Sequence, residues 1–278
     1  MGERHQCQLI DVKYSPVFIA AKYLLYVIRA KNKKGHGIHS PFVFDFVTNV
    51  LNDKSLPENF KQIENIRKEL LKKNDTINVT DYGAGGANPN ETIEKKIKQI
   101  AATSLKSPKY AKLLYRIAKY YQPSNIVELG TSLGITTSYL AAAAANGKVY
   151  TLEGSASIAE IAKANFKRLA LINIEQVTGP FESTYQPLLS GLNSLNLLFV
   201  DGNHREVPTL RYFELGMEKI SPTSIFIFDD IQYSKEMESA WRAIQDHEAV
   251  RLSIDLFFIG IVFFNNDVKI KQHFEIMF

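Results

Sequence analysis

Ile126-Val127-Glu128-Leu129-Gly130-Thr131-Ser132-Leu133-Gly134 decides how the rest of the chain is read. A short apolar strand ends in a glycine-bearing turn, and an Ala-rich helical stretch over 133–145 follows at once. Glycines let a backbone pass close to a ligand, and a helix start offers unpaired N–H groups. Alone, Gly-x-x-x-Gly is common and falls short of the Gly-x-Gly-x-x-Gly of dinucleotide folds. Its weight comes from the next strand, 148–153, which ends in Glu153, 23 residues beyond Gly130. A carboxylate there can accept both hydroxyls of a ribose, so a nucleoside ligand leads.

The same grammar continues downstream. Apolar runs at 126–129, 148–153, 173–177, 195–201 and 224–229 alternate with helical stretches at 133–145, 156–170, 184–192 and 206–219, which predicts a parallel sheet covered by helices. After a helix at 235–247, strands at 250–254 and 258–264 lie too close together for a parallel return and must form an antiparallel hairpin. Upstream, helical patterns at 14–30, 41–51, 60–73, 91–102 and 108–121 surround a β-prone run at 76–80. The expected architecture is α/β: a Rossmann-like seven-stranded sheet of five parallel strands plus the C-terminal hairpin. Residues 1–105 are read as a mostly helical N-terminal extension, an acceptor cap or oligomer contact, and 106–278 as the nucleoside-binding domain. A second glycine run at 81–86 has no strand-terminal acid about 20 residues on and is read as a turn of the extension.

Residues 108–265 resemble the class I S-adenosylmethionine (SAM) dependent methyltransferases, and within them the small-molecule O-methyltransferases related to the catechol, caffeoyl-CoA and macrolide-sugar enzymes. The segments that carry the likeness are 127–134, 151–154 (Thr-Leu-Glu-Gly), 179–181 (Gly-Pro-Phe), 199–204 (Phe-Val-Asp-Gly-Asn-His) and 228–230 (Phe-Asp-Asp). The resemblance implies SAM as cofactor, ribose on Glu153, and Ser155, Gly179 and Phe181 near adenine. Gly130, Thr131, Ser132, Gly134, Gly154 and Asp201 complete the expected cofactor-binding set. Glu128 joins it because a carboxylate there would repel a pyrophosphate yet can pair, directly or through water, with the methionine ammonium.

Asp201 closes the fourth strand and Asp229-Asp230 the fifth, 28 residues later, and both ends fall on the carboxyl edge of the sheet, where ligands bind. Three carboxylates together call for a cation, and hard divalent ions prefer oxygen ligands. The resemblance places Mg²⁺ on Asp201, Asp229 and Asp230. A competing reading has Asp229 capping the next helix and Asp230 solvated. Bound metal would hold two vicinal oxygens and lower the hydroxyl pKa. His204, or Asp201 itself, would take the hydroxyl proton. Tyr233, Trp241 and Phe257 are either acceptor-pocket or core aromatics. His36 and His39 flank a glycine-rich loop without an acidic companion and read as a helix-start loop.

The composition, 45% hydrophobic and 22% charged, is that of a globular protein with a packed core. Residues 1–106 hold 17 Lys and Arg against 11 Asp and Glu, whereas the remainder holds 16 against 18. Interleaved lysines and glutamates at 61–73 favour a solvated helix face over a nucleic-acid surface. A DNA amino-methyltransferase would carry an Asn/Asp-Pro-Pro-aromatic turn where this chain has Asp201-Gly202-Asn203-His204. One cysteine, Cys7, excludes an intramolecular disulfide and suits a reducing compartment. No stretch reads as a bilayer span and the first residues lack a signal-peptide order, so a cytoplasmic protein is expected. The leading reading is a metal-dependent O-methyltransferase acting on a small molecule or glycan. The alternatives are a metal-independent methyltransferase of the same fold, and a non-catalytic SAM-binding interaction protein. Helix 14–30 is apolar enough to pack on a second copy in a homodimer.

Overall fold

The computed structural model describes residues 13–30, 40–80, 92–266 and 268–278. Cys7, His36, His39 and the glycine run at 81–86 lie outside the described residues.

Helix α1 (Pro16–Arg29) starts where the Ser15 hydroxyl accepts from the Phe18 N–H at 3.3 Å. The single helix expected at 41–51 is instead α2 (Pro41–Phe46), begun by Ser40, followed by a π-helical turn, Val47–Leu51. Next come α3 (Glu58–Leu70), β1 (Thr76–Thr80), β2 (Thr92–Lys96), α4 (Ile97–Ser104) and α5 (Pro108–Tyr121). The charged helix expected at 91–102 is corrected: β2 pairs antiparallel with β1 from Thr76 opposite Lys96 to Thr80 opposite Thr92, and the helix begins only at Ile97. Thr92 and Ile93 are β-branched, and a waiting partner strand outweighs the helix preference of the charged residues after them.

The expected five parallel strands follow: β3 (Asn125–Leu129), β4 (Lys148–Glu153), β5 (Ile174–Thr178), β6 (Leu197–Val200) and β7 (Ile225–Asp229). Between them lie α6 (Ile135–Ala143), α7 (Ala156–Arg168), α8 (Phe181–Ser190) and α9 (Glu206–Met217), with α10 (Lys235–Asp246) after β7. The hairpin of β8 (Leu252–Asp255) and β9 (Ile259–Phe263) joins antiparallel to β7 through β9. To these seven the structure adds an eighth strand, β10 (Gln272–Glu275), parallel to β8. The order is β10-β8-β9-β7-β6-β3-β4-β5.

Strands β6 and β7 are buried along their whole length, which is why they read as unbroken apolar runs. Their side chains still alternate between faces. Leu197 and Phe199 pack with α5 and α6, whereas Leu198 and Val200 pack with Tyr185 of α8, Phe213 of α9 and Trp241 of α10. Val43, Phe46, Phe60, Ile63 and Ile97 belong to the first of these cores, so the N-terminal elements share an apolar core with the sheet. Chain direction across the sheet reverses between β3 and β6, and the carboxyl edge there is the crevice where an open α/β sheet binds ligands. Among the described residues no helix is long and apolar enough to cross a membrane.

Candidate active site

The turn after β3 is shaped first by its own packing. The Leu129 carbonyl accepts the Asp201 N–H at 2.9 Å, and the Leu152 carbonyl accepts the N–H groups of Gly130 and Thr131 at 3.0 and 3.1 Å. Gly130 has φ +109°, and a Cβ there would overlap the Asp201 carbonyl. Only glycine therefore lets the ends of β3 and β6 come this close. Gly134, at φ +81°, opens α6, and a Cβ on it would strike the Phe166 ring. Both glycines are required by backbone and core before any ligand is considered.

The Glu153 carboxylate accepts the Ser132 N–H at 2.8 Å and the Ser155 N–H at 3.0 Å, tying the turns after β3 and β4 together. It lies on the wall of a cavity of about 720 Å³, together with Gly130, Ser132, Gly154, Phe181 and Asp201 of the expected cofactor set. Thr131, Gly134, Ser155, Gly179 and Glu128 stand behind that wall. Glu128 is fully buried, and its Oε2 accepts from Thr137 at 2.5 Å and Thr151 at 2.7 Å. Its Oε1 has no hydrogen-bond partner among the described residues. Burial pushes the Glu128 carboxyl up to about 7, against the lowering by the two threonine hydroxyls.

At the other end of the same cavity stand Asp201, His204, Asp229 and Asp230. Asn203 and Asp230 hold positive φ of 54° each, turning the chain sharply as it leaves β6 and β7. One donor atom each from Asp201, His204 and Asp229 lies within 4.8 Å of the others, so the residue types of a divalent-ion site do converge. Asp230, expected to be the third ligand, lies outside that cluster although it lines the cavity. His204 Nε2 stands 3.9 Å from Asp201 Oδ1.

Into this cluster reaches Lys106, from the connection between α4 and α5, a residue the sequence reading did not single out. Its Nζ is ion-paired and hydrogen-bonded to Asp229 Oδ2 and lies 3.4 Å from Asp201 Oδ1. Burial alone would lower its pKa, but Asp201, Asp229 and Asp230 together outweigh that and hold it above the ordinary lysine range. Asp201 is pushed well up, by burial first and then by Asp229 and Asp230, with Lys106 opposing. Asp230 is pushed up by burial and by Asp229. The directions agree: three carboxylates against one ammonium leave surplus negative charge that a proton relieves.

Among the aromatic candidates, Tyr233 lines the cavity. Trp241 and Phe257 are core: Trp241 packs on Phe228 and over Gly260, and Phe257 packs on Tyr23 and Tyr26. Phe258 and Tyr110 face the cavity instead. Val79, Thr80 and Lys95 of the β1–β2 hairpin complete the wall, and Ser104 hydrogen-bonds Ser132 at 2.7 Å, so the N-terminal elements close the site from above.

Residues 127–231 match the family described as a methyltransferase domain. A catechol O-methyltransferase of Niastella koreensis is 30% identical over 128 residues, covering 45% of this chain and 57% of that protein. One of Mycobacterium tuberculosis is 28% identical over 127 residues, covering 45% and 56%. The chain thus spans a little over half the length of the curated relatives it matches. An SAH-bound methyltransferase of Podospora anserina superposes with a TM-score of 0.57 at 13% identity, over 82% of this chain and 97% of that one. An SAH-bound O-methyltransferase of Bacillus cereus gives 0.53 at 20%, over 80% and 97%. The fold is that of the class I SAM-dependent methyltransferases. The methyltransferase-domain match covers residues 127–231, and over about half of its length the chain is similar to catechol O-methyltransferases.

Proposed function

We propose that this protein transfers a methyl group from SAM to a hydroxyl oxygen of a small molecule. The observation behind this reading is that one cavity joins the Glu153 turn to the Asp201, His204 and Asp229 cluster, so that a nucleoside at one end would reach a polar acceptor site at the other. Its volume is that of a small-molecule site, roughly 300–1,000 Å³. A carboxylate fixed by two backbone N–H groups suits a ribose diol, and the Phe181 ring beside it suits an adenine.

When bound, SAM supplies a methyl carbon on a positively charged sulfur: the acceptor oxygen bonds to that carbon, the carbon–sulfur bond breaks with its electrons going to sulfur, and the hydroxyl proton leaves to a base. His204 is the residue we assign as base; its Nε2 stands 3.9 Å from Asp201 Oδ1, at the polar end of the cavity. Val79 and Thr80 exclude water from above, the acceptor-cap role expected of residues 1–105, with Tyr110 and Phe258 of the following domain beside them. The outward face of α1, with Val17, Leu24, Leu25 and Ile28 exposed, is where we place the homodimer contact; sedimentation of the wild type against Leu24→Glu tests it.

The Mg²⁺ expected on Asp201, Asp229 and Asp230 does not fit these residues as they stand, because the Lys106 ammonium already pairs with two of the three carboxylates. No step is therefore assigned to a metal. The reading is tested by incubating the protein with SAM and a panel of phenols, catechols and sugars and measuring SAH. Acceptor-dependent SAH, lost in His204→Ala, supports it. SAM bound without turnover across the panel favours a non-catalytic SAM-binding protein.

A further inference from the structure

Lys106 reaches the acid cluster from a different part of the chain, 123 residues before Asp229, and its side chain is only 14% exposed. A lysine just ahead of a helix start opposes the dipole of that helix. Helix α5 has no acidic residue in its first turn to offset it. The position makes sense through the far end of the side chain. Asp229 is 1% exposed and its Oδ1 has no hydrogen-bond partner among the described residues. A carboxylate so buried needs a cation at hand, and the ammonium on its Oδ2 is that cation.

We infer that Lys106 is a built-in cation standing where a divalent ion would otherwise sit, and that it binds the acceptor oxygen itself. This rests on the O-methyltransferase reading and narrows its substrate class. A divalent ion can hold two vicinal oxygens. An ammonium offers three N–H donors; Asp229 accepts one and Asp201 Oδ1 stands 3.4 Å away, so a further donor takes a single acceptor oxygen. The site then selects a lone hydroxyl or phenolate and has no call for a catechol-like pair.

The test is Mn²⁺ binding followed by electron paramagnetic resonance on the 278-residue chain, without SAM or acceptor, so that its outcome is independent of whether the chain transfers methyl groups. Wild type is expected to show no stoichiometric Mn²⁺ site tighter than about 1 mM, the weak end of carboxylate-cation affinities. Removing the ammonium in Lys106→Ala should expose the carboxylates and tighten binding at least about tenfold, and Asp229→Asn added to it should abolish the gain. Lys106→Met, closer in shape, serves if the alanine variant fails to fold. Stoichiometric Mn²⁺ binding by the wild type that is lost in Asp229→Asn would overturn the inference. So would a folded Lys106 variant that gains no Mn²⁺ affinity.

Discussion

Gly130→Ala isolates the turn on which the site is built. The native φ of +109° lies where an L side chain is strained by about 1–3 kcal/mol. The new methyl would also overlap the Asp201 carbonyl oxygen and stand 2.9 Å from its carbon. Both atoms are backbone at the end of β6 and cannot rotate away, so relief requires β3 and β6 to part, an overpacking cost of about 1–3 kcal/mol. Together the expected loss is about 2–6 kcal/mol, a large share of the roughly 5–15 kcal/mol that holds a typical domain. Urea unfolding followed by the fluorescence of Trp241, the single tryptophan and buried at 3% exposure, measures it. Gly191→Ala is the control: Gly191 has φ −79° at the end of α8 and an added Cβ meets its nearest neighbour at 3.4 Å, so a change near 0.5 kcal/mol is expected. A Gly130→Ala loss no larger than that of the control would refute the claim that this glycine serves the approach of two strands.

Other outcomes follow from the buried charges. Burial pushes the Glu128 carboxyl in the folded chain up to about 7, above the ordinary glutamate value of 4.5. Its neutral form is thus favoured on folding, and the stability this gives is full below about pH 4.5 and lost as pH rises through 7. Wild type should lose on the order of 3 kcal/mol over that range relative to Glu128→Gln; parallel pH profiles of the two proteins would contradict this. Lys106→Met leaves Asp229 uncompensated and should cost about 3–5 kcal/mol at pH 8, with about 1–3 kcal/mol returned by adding Asp229→Asn in a double-mutant cycle. Phe181→Ala removes the ring that packs on Tyr212 and borders the cavity, and should weaken SAM about tenfold by calorimetry.

What could be read from the chain was what leaves a local signature. Strands β3, β6 and β7 are covered on both faces and appear as apolar runs; Glu153 stands out as an acid ending one of them. Strand β10, Gln-His-Phe-Glu with His273 exposed and the other three half-buried, has too little apolar content to announce itself. Strand β2 carries Glu94, Lys95 and Lys96, which read as helix until β1 is placed beside it. Gly130 and Gly134 were legible as special, but the reason lies in Asp201 and Phe166, distant in sequence. Asp201 and Asp229 were legible as strand-terminal acids. Their partner Lys106 was not, because nothing local links it to them; its one trace in the sequence is a positive charge set against the start of α5.

The central claim is that the turn after β4 holds the ribose of SAM, and calorimetric titration of SAM into wild type and Glu153→Ala tests it most directly. Binding at one SAM per chain is expected for the wild type, weakened about 10- to 100-fold in the variant by loss of a charged hydrogen-bonding partner. Equal affinity in the two proteins, or no heat from the wild type at all, would contradict it.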